Sequence, residues 1–221
     1  MNQLETLQWR LIRVHGVDRL SYLQGQLTQD VTEGVRRRSL LLQPSGEVLS
    51  DLEVVVLDDY VDLAVPDLLA DEILVRMRRF VLRVDVQFVD LGKTEAPVEL
   101  WPLVESAWPS AFEWAVGLPP HSYGQRVVDE TVSFTKGCFT GQELVGRADA
   151  RGATMPWRYI AGLGGDIASV TTLLKASGPE GPQGITSLFS HEGVVHWRGV
   201  AHRSFEPSTL LTLGAELTYF A

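Results

Sequence analysis

The sequence predicts an α+β fold built from two parts of different character. Residues 5 to 91 alternate between strand periodicity and helix periodicity, in the order strand, helix, strands, helix, strand. From Trp157 onward, short apolar runs separated by Gly, Pro and Ser replace this alternation. With 45% hydrophobic and 21% charged residues, the 221-residue chain has a globular composition and is long enough to bury a substantial core.

The first strand and the first helix are predicted within residues 7 to 27. Alternating apolar residues over positions 7 to 11 indicate a strand that leads into a turn. Asp18 is a natural N-cap, because its carboxylate can accept hydrogen bonds from the free N–H groups of a first helical turn. Leucines then recur at helical spacing, at Leu20, Leu23 and Leu27.

An antiparallel meander and a second helix complete the first part. The segments SLLLQ and VLSDLEVVVLDDYVDLAVP predict strands, joined by a Pro/Gly turn and by Asp58-Asp59. Asp67 is predicted to cap the second helix, whose apolar positions share one face. The strand VLRVDVQFVDL follows it. This order predicts a ferredoxin-like split βαβ arrangement with one extra strand.

The second part is predicted to be a small C-terminal β-barrel. Residues 92 to 130 are richer in Pro and Gly, and are interpreted as a connection with a short helix that ends at Gly117. Five or six short strands follow Trp157, as in a small barrel or sandwich. Pro156 stops any helix. We therefore assign residues 1–153 to an N-terminal domain and residues 154–221 to the barrel domain.

The composition restricts partners and location. With 19 basic and 28 acidic side chains, the net charge is -9, which has the wrong sign for a nucleic-acid-binding protein. No apolar run approaches eighteen residues and no secretory leader is recognisable, so no membrane association is expected. The one cysteine forms no internal disulfide, which favours a reducing cytoplasm. No metal site is predicted, because three histidines lack acidic or cysteine partners at ligand spacing: His191, His196 and His202.

The octad KGCFTGQE, Lys136 to Glu143, is the strongest candidate for chemistry because it contains the chain's only cysteine. Thr140 and Glu143 form a capping-box pattern, which predicts a helix that begins near Thr140. Cys138 would then lie two residues before a helix N-terminus. There the partial positive charge of the helix and the nearby Lys136 favour the thiolate.

Two glycines flank the thiol and leave room for a ligand or another backbone, at Gly137 and Gly141. The alternative interpretation is that a lone cysteine is a small buried apolar side chain. Lysine, glycines and a predicted helix start around one thiol favour a reactive site over this alternative. Cys138 and Lys136 are therefore the candidate catalytic residues. Whether the protein is an enzyme stays open, because no familiar catalytic constellation accompanies them.

The octad and its trailing Arg147 closely resemble the KGCYxGQE signature and trailing arginine of the YgfZ-type folate-binding proteins. These proteins are relatives of the T-protein aminomethyltransferase of the glycine cleavage system, which is the GcvT-like superfamily. Phe139, where the family usually has tyrosine, is the only change within the octad. The segments YLQGQLTQDV, from Tyr22, and LLQPSGEVLSDLEVV, from Leu41, resemble two further family segments. The likeness extends over most of the chain and includes a final barrel.

The resemblance implies that tetrahydrofolate, or another folate, is bound in the hollow of the N-terminal part. It also implies iron-sulfur client or assembly proteins as partners. Asp51 matches a family aspartate that faces the reactive nitrogens of the folate, but from the residues alone an outward polar position on a strand is equally compatible. The other candidate folate-binding residues are Gln24, Gln26, Gly137, Gly141, Gln142, Glu143 and Arg147. Arg147 also has the i,i+4 spacing of a helix salt bridge with Glu143.

Three functions are compatible with the sequence. The first is a tetrahydrofolate-binding accessory protein for the assembly, repair or maintenance of iron-sulfur enzymes, with a functional Cys138. The second is a tetrahydrofolate-dependent aminomethyl or one-carbon transferase, which would be expected to retain a pterin-binding glutamate where this chain has Ala115; Glu113 lies two residues before it. The third is a ligand-free interaction module that docks a client protein through the octad loop.

Overall fold

The computed structural model describes residues 7–32, 36–96, 104–152 and 154–221. Their strands are β1 (Trp9–His15), β2 (Arg36–Leu42), β3 (Val48–Val56), β4 (Val61–Pro66), β5 (Gln87–Thr94), β6 (Trp157–Gly164), β7 (Gly184–His191), β8 (Val194–His202) and β9 (Ala215–Phe220). Their α-helices are α1 (Arg19–Gln26), α2 (Ala70–Arg78), α3 (Ala111–Trp114), α4 (Gln125–Thr131), α5 (Gln142–Arg151) and α6 (Ile167–Lys175). Short 3-10 helices cover Asp67–Leu69, Pro120–Tyr123 and Pro207–Leu213. The predicted α+β class is confirmed.

The first five strands form one antiparallel sheet in the order β2-β3-β4-β1-β5. The first strand thus lies between β4 and β5, and the extra strand β2 forms one edge, in agreement with the predicted split βαβ pattern. Ile12 and Leu63, on one face of the sheet, pack with Leu23 of α1 and Ile73 of α2. The main core therefore lies between this face and the two helices.

Two predicted helix caps are wrong, although each aspartate lies close to the predicted helix start. Asp18 precedes α1, but its carboxylate accepts a hydrogen bond from the backbone N–H of Asp85 at 2.8 Å instead of capping the helix. Asp67 begins a 3-10 turn before α2, and its carboxylate lies 2.7 Å from the guanidinium of Arg10. In both cases a partner distant in sequence replaces the local backbone donors.

The last four strands form a second antiparallel sheet in the order β7-β8-β6-β9. Its own small core includes Ile160, Leu174 and Trp197, so α6 packs against this sheet. β7 and β9 are the two edges, and no strand pairing among the described residues joins them. The predicted closure into a small barrel is therefore not confirmed.

The main core continues from the first sheet into the second. Tyr159, Ala161 and Val200, which come from β6 and β8, belong to the same buried cluster as the first sheet. The Tyr159 hydroxyl also donates a hydrogen bond to the Ala107 carbonyl at 3.0 Å. The predicted division after residue 153 falls between the two sheets, at a residue outside the described ranges, and stays a prediction.

Candidate functional site

Asp51 lies in a cleft between the first sheet and α3. Because side chains alternate along β3, Asp51 faces away from the core that Leu52 enters. The described lining is mainly apolar and aromatic, with Asp51 and Arg198 as its charged groups. Other lining residues are Trp9, Pro66, Leu68, Trp108 and Phe112. The free volume is about 30 Å³, which is room for about two water molecules.

The Asp51 carboxyl is buried and has one strong neutral partner. It is 4% exposed, and the indole Nε1 of Trp108 donates a hydrogen bond to its Oδ2 at 3.0 Å. Burial raises the pKa of Asp51 above its ordinary value, while the charge of Arg38 and the Trp108 hydrogen bond oppose this rise. The Arg38 guanidinium lies over the Trp108 ring, 4.3 Å from the ring centroid. The outward polar interpretation of Asp51 is therefore wrong.

Glu113, on α3, connects the first part of the chain to the second sheet. It is fully buried, and its carboxylate accepts hydrogen bonds from the hydroxyls of Thr186 at 2.6 Å and Ser187 at 2.7 Å. Nη1 of Arg198 lies 3.5 Å from its other oxygen. A buried carboxylate satisfied in this way by donors of β7 and β8 holds α3 against the second sheet.

The sequence carried only a local signal for Glu113. Its carboxylate accepts a hydrogen bond from the backbone N–H of Ser110 at 2.8 Å, which is the spacing of a capping box. α3 is a single helical turn, shorter than the helix predicted before Gly117. Ala115 follows directly after α3 as its C-cap. The donors in β7 and β8 lie more than seventy residues away in sequence, so spacing gave no indication of them.

A second groove lies on the same face of the first sheet as Asp51. Glu53 is two residues further along β3, so its side chain shares the Asp51 face. The groove has a volume of about 260 Å³ and includes Arg36, Asp62 and Glu95 in its lining. Nη1 of Arg36 lies 3.2 Å from the Glu53 carboxylate. The face thus offers a narrow apolar cleft at one end and a more acidic groove at the other.

Lys136 caps the C-terminal end of α1. Its Nζ donates hydrogen bonds to the backbone carbonyls of Gln24 and Leu27, both at 2.6 Å, and of Gln29 at 3.2 Å. Burial lowers the pKa of Lys136 to about 8, and the charge of Asp30 opposes this shift. These contacts use the three donors of the ammonium for the helix. The predicted catalytic function of Lys136 stays a prediction.

The predicted capping box of Thr140 and Glu143 is wrong. α5 begins at Gln142, with no side-chain cap, and the backbone N–H of Thr140 donates to the Gly25 carbonyl at 3.0 Å. The Glu143 carboxylate instead lies 2.5 Å from the Arg147 guanidinium, and both side chains are exposed. The salt bridge expected from the i,i+4 spacing is therefore confirmed. The contacts of Glu143 and Arg147 explain their positions without a ligand.

Cys138 is exposed on a loop whose neighbouring residues are anchored. Phe139 is buried in the main core. Gly141 has a positive φ of 84°, and a Cβ there would lie 3.1 Å from the Gln43 carbonyl oxygen, so only glycine fits without strain. A Cβ on Gly137 would meet no atom within 4 Å. The alternative of a buried cysteine is wrong, and the thiol lies four residues before α5 rather than two.

Three glutamines that were candidates for folate contact have partners within the protein. The Gln24 side-chain carbonyl accepts from the backbone N–H of Val31 at 2.7 Å. The Gln26 carbonyl accepts from the buried guanidinium of Arg76 at 3.0 Å. Gln142 accepts from a backbone N–H of the octad loop at 3.3 Å. These side chains stabilise turns and the core around the octad, and their predicted ligand contacts stay predictions.

Two negative findings concern metals and membranes. Among the described residues, no three His, Cys, Asp or Glu side chains are grouped closely enough to hold a metal ion. No helix in the described ranges has the length and apolar character needed to cross a membrane.

Comparison with other proteins supports the predicted fold. No protein-family model matches the sequence. An uncharacterized protein of Haemophilus influenzae is 28% identical, with 72% of this chain and 73% of that protein covered. The glycine cleavage system aminomethyltransferase T from Bartonella henselae has a TM-score of 0.55 at 12% identity, covering 88% of this chain and 76% of that chain. The chain therefore shares its fold with that aminomethyltransferase.

Proposed function

We propose that this protein binds a reduced folate of the tetrahydrofolate type in the cleft at Asp51. The observation that carries the proposal is a buried carboxyl held by the Trp108 indole at the base of an aromatic cleft. A carboxylate in such a position accepts hydrogen bonds from ring N–H groups, and flanking aromatic side chains favour a planar heterocycle. The fold shared with an aminomethyltransferase supports the same ligand class.

The donors and acceptors of the cleft fit a pteridine ring, whereas its present size does not. A free volume of about 30 Å³ is far below the roughly 300 Å³ or more of typical ligand pockets. Binding therefore requires the walls of the cleft to separate, and the wall formed by α3 has Phe112 and Trp108 on or beside it. Association with the ligand is expected to be slow and limited by this opening.

The second groove on the sheet face suggests which folate tail is preferred. The groove contains three carboxylates, Glu53, Asp62 and Glu95, against the guanidinium of Arg36. Additional glutamates on a polyglutamate tail would add negative charge next to these carboxylates. We therefore expect the monoglutamate form to bind at least as tightly as the polyglutamate forms.

The proposal also includes action as an accessory protein for iron-sulfur enzymes in the cytoplasm, with Cys138 as the contact residue. Its support is the octad resemblance together with the exposure of the thiol on an anchored loop. Because the described residues supply no group of metal ligands around Cys138, a cluster or client sulfur would be contacted transiently rather than stored. A one-carbon transferase is less favoured, because the Glu113 carboxylate is engaged with Thr186 and Ser187 and Ala115 carries no polar group.

A second candidate function is a ligand-free interaction module. The observation that favours it is the small volume of the Asp51 cleft. This candidate predicts that the cleft stays closed and that the exposed octad loop alone contacts a client.

Titration with tetrahydrofolate distinguishes the two candidates. Wild type, Asp51→Asn and the control Asp59→Asn, which changes an exposed aspartate, are titrated anaerobically by calorimetry. We expect saturable binding that Asp51→Asn weakens about tenfold or more, which is about 1.4 kcal/mol, while Asp59→Asn matches wild type. Absence of saturable binding up to about 1 mM ligand would remove the folate proposal and leave the interaction module.

The iron-sulfur part of the proposal is tested separately. In cells that lack the chain, we expect lower activity of iron-sulfur enzymes but unchanged activity of enzymes without clusters. Wild type should restore the activity and Cys138→Ser should not. Full restoration by Cys138→Ser at equal protein level would show that the thiol is dispensable for this function.

A further inference from the structure

A polar pocket separate from the Asp51 cleft lies between α5, α4 and the 3-10 turn Pro120–Tyr123. It has a volume of about 320 Å³, within the range of small-molecule sites. It shares no described lining residue with the Asp51 cleft. Its polar side chains are those of His121, Gln125, Asp149, Thr154 and Arg158. The function proposed above uses none of them.

His121 lines this pocket, and both of its ring nitrogens are buried. Its side chain is 9% exposed, and neither ring nitrogen makes a hydrogen bond within the described residues. Nε2 lies 3.6 Å from Oδ1 of Asp149, which is longer than a hydrogen bond but suitable for a shared third partner. Buried imidazole nitrogens are nearly always satisfied by protein, water or a ligand. A molecule in the pocket would supply the missing partner.

Arg158 and Asp149 are the charged side chains in the described lining of this pocket. Arg158 lines the pocket, and its guanidinium lies over the Phe220 ring, 4.8 Å from the centroid. Among the described residues it has no carboxylate within ion-pair distance, which leaves its donor fork available for an anion. A metal ion fits less well, because no third ligating side chain within the described ranges joins His121 and Asp149 and because Arg158 repels cations.

We propose that this pocket binds a small carboxylate-bearing molecule, with Arg158 as its counter-ion and His121 as its hydrogen-bond donor. Asp149, which is 40% exposed at the side chain, lies 3.6 Å from His121 Nε2. The same carboxylate can accept a hydrogen bond from a donor group on the ligand. The chemistry is therefore that of a small acid that also carries an amino or hydroxyl group. The proposal does not depend on folate binding.

The test follows the imidazole of His121 by proton and nitrogen NMR of the full chain. Acetate and L-alanine are added as probes, and sodium chloride at equal ionic strength serves as the control for screening. His121→Phe, which keeps the ring volume without nitrogen, identifies the His121 signals. Arg158→Gln removes the charge at the pocket, and Arg203→Gln removes an exposed charge outside it as the matched control.

We expect a saturable shift of the His121 signals, with L-alanine bound more tightly than acetate because it carries an additional donor. Arg158→Gln should weaken binding about tenfold or more, and Arg203→Gln should leave it unchanged. Thermal melting confirms that each variant is folded. The proposal is overturned if the His121 signals respond no more to either probe than to chloride, or if Arg158→Gln binds as wild type does.

Discussion

Asp51 and Cys138 differ in their exposure to water and in what holds them in place. Asp51 is an ionisable group withdrawn from water, 4% exposed, with the Trp108 indole as its close partner. Cys138 is an exposed thiol on a loop. The loop is held by Phe139, which is buried in the core, and by Lys136, which donates a hydrogen bond to a carbonyl of α1. Burying the Asp51 carboxyl, which is itself the candidate functional group, costs free energy of desolvation. At the octad the neighbouring residues stabilise the loop, and the thiol contributes little to it.

The difference separates residues whose presence is explained by stabilising contacts from residues whose presence is not. Anchoring contacts account for most of the octad, so its sequence pattern alone is weak evidence for chemistry at every position. At Asp51 the Trp108 hydrogen bond and the charge of Arg38 do not offset burial, since the pKa of the carboxyl is raised. Removing the Asp51 carboxylate and removing an anchor of the octad should therefore change the free energy of unfolding in opposite directions.

The largest effect is expected from Glu113→Ala, on the cleft side of the comparison. The substitution leaves the buried hydroxyls of Thr186 and Ser187 and the Arg198 guanidinium without this acceptor. We expect a loss of about 3 to 5 kcal/mol in the free energy of unfolding, measured by urea denaturation. Glu143→Ala, at an exposed helix pair, is the control and should change it by less than about 0.5 kcal/mol.

The next effect is expected from Lys136→Met, on the loop side. The variant removes three hydrogen bonds from a charged donor to the carbonyls of Gln24, Leu27 and Gln29, at the end of α1 and just after it. We expect a loss of about 2 to 3 kcal/mol, again by urea denaturation. Lys175→Met at an exposed position is the matched control. Equal stability of the two variants would show that Lys136 does not anchor the octad loop, and would contradict the proposed difference between the loop and Asp51.

Asp51→Asn is expected to act in the opposite direction. Because burial raises the pKa of Asp51 in the folded state, the folded protein keeps its proton between the unfolded pKa and the raised folded pKa. Wild type therefore loses stability as the pH rises through this window, and the loss persists above it. The variant lacks this titration and should be more stable than wild type at neutral pH. Its advantage should disappear below the ordinary aspartate pKa in a pH series of melting curves.

The smallest effect is expected from Cys138→Ser. The side chain is exposed and an oxygen replaces a sulfur in water, so the free energy of unfolding should change by less than about 0.5 kcal/mol. Because the thiol is exposed, native wild type should also react rapidly with a thiol reagent, at a rate close to that of the unfolded chain. A loss above about 1 kcal/mol would show that the thiol itself anchors the loop.

Periodicity was sufficient to predict the first sheet and its helices, because those elements depend on local alternation. It did not predict the burial of Asp51, because the polar residues Ser50, Asp51 and Glu53 interrupt the apolar pattern of the strand VLSDLEVVV. In the structure β3 is buried at eight of its nine positions, which is typical of a strand covered on both faces. Trp108, which precedes α3, covers Asp51.

Side-chain partners could not be predicted where they come from distant segments. Asp18, Asp67 and Thr140 each had a pattern suited to a local helix cap, and each instead bonds to a residue far along the chain. Lys136 and Glu113 also bond to residues far along the chain, and their bonds are expected to contribute more to the free energy of unfolding. Local patterns report which groups need a partner, while the tertiary fold determines which partner they receive.

The core that extends from the first sheet into β6 and β8 determines how the molecule can open. Tyr159, Ala161 and Val200 are packed within it, so separating the two sheets would expose these buried side chains to water. We therefore expect one cooperative calorimetric transition for the whole chain, whatever number of domains is drawn. The cleft at Asp51 should widen through local fluctuations of the single-turn helix α3, visible as faster amide hydrogen exchange there than in β6.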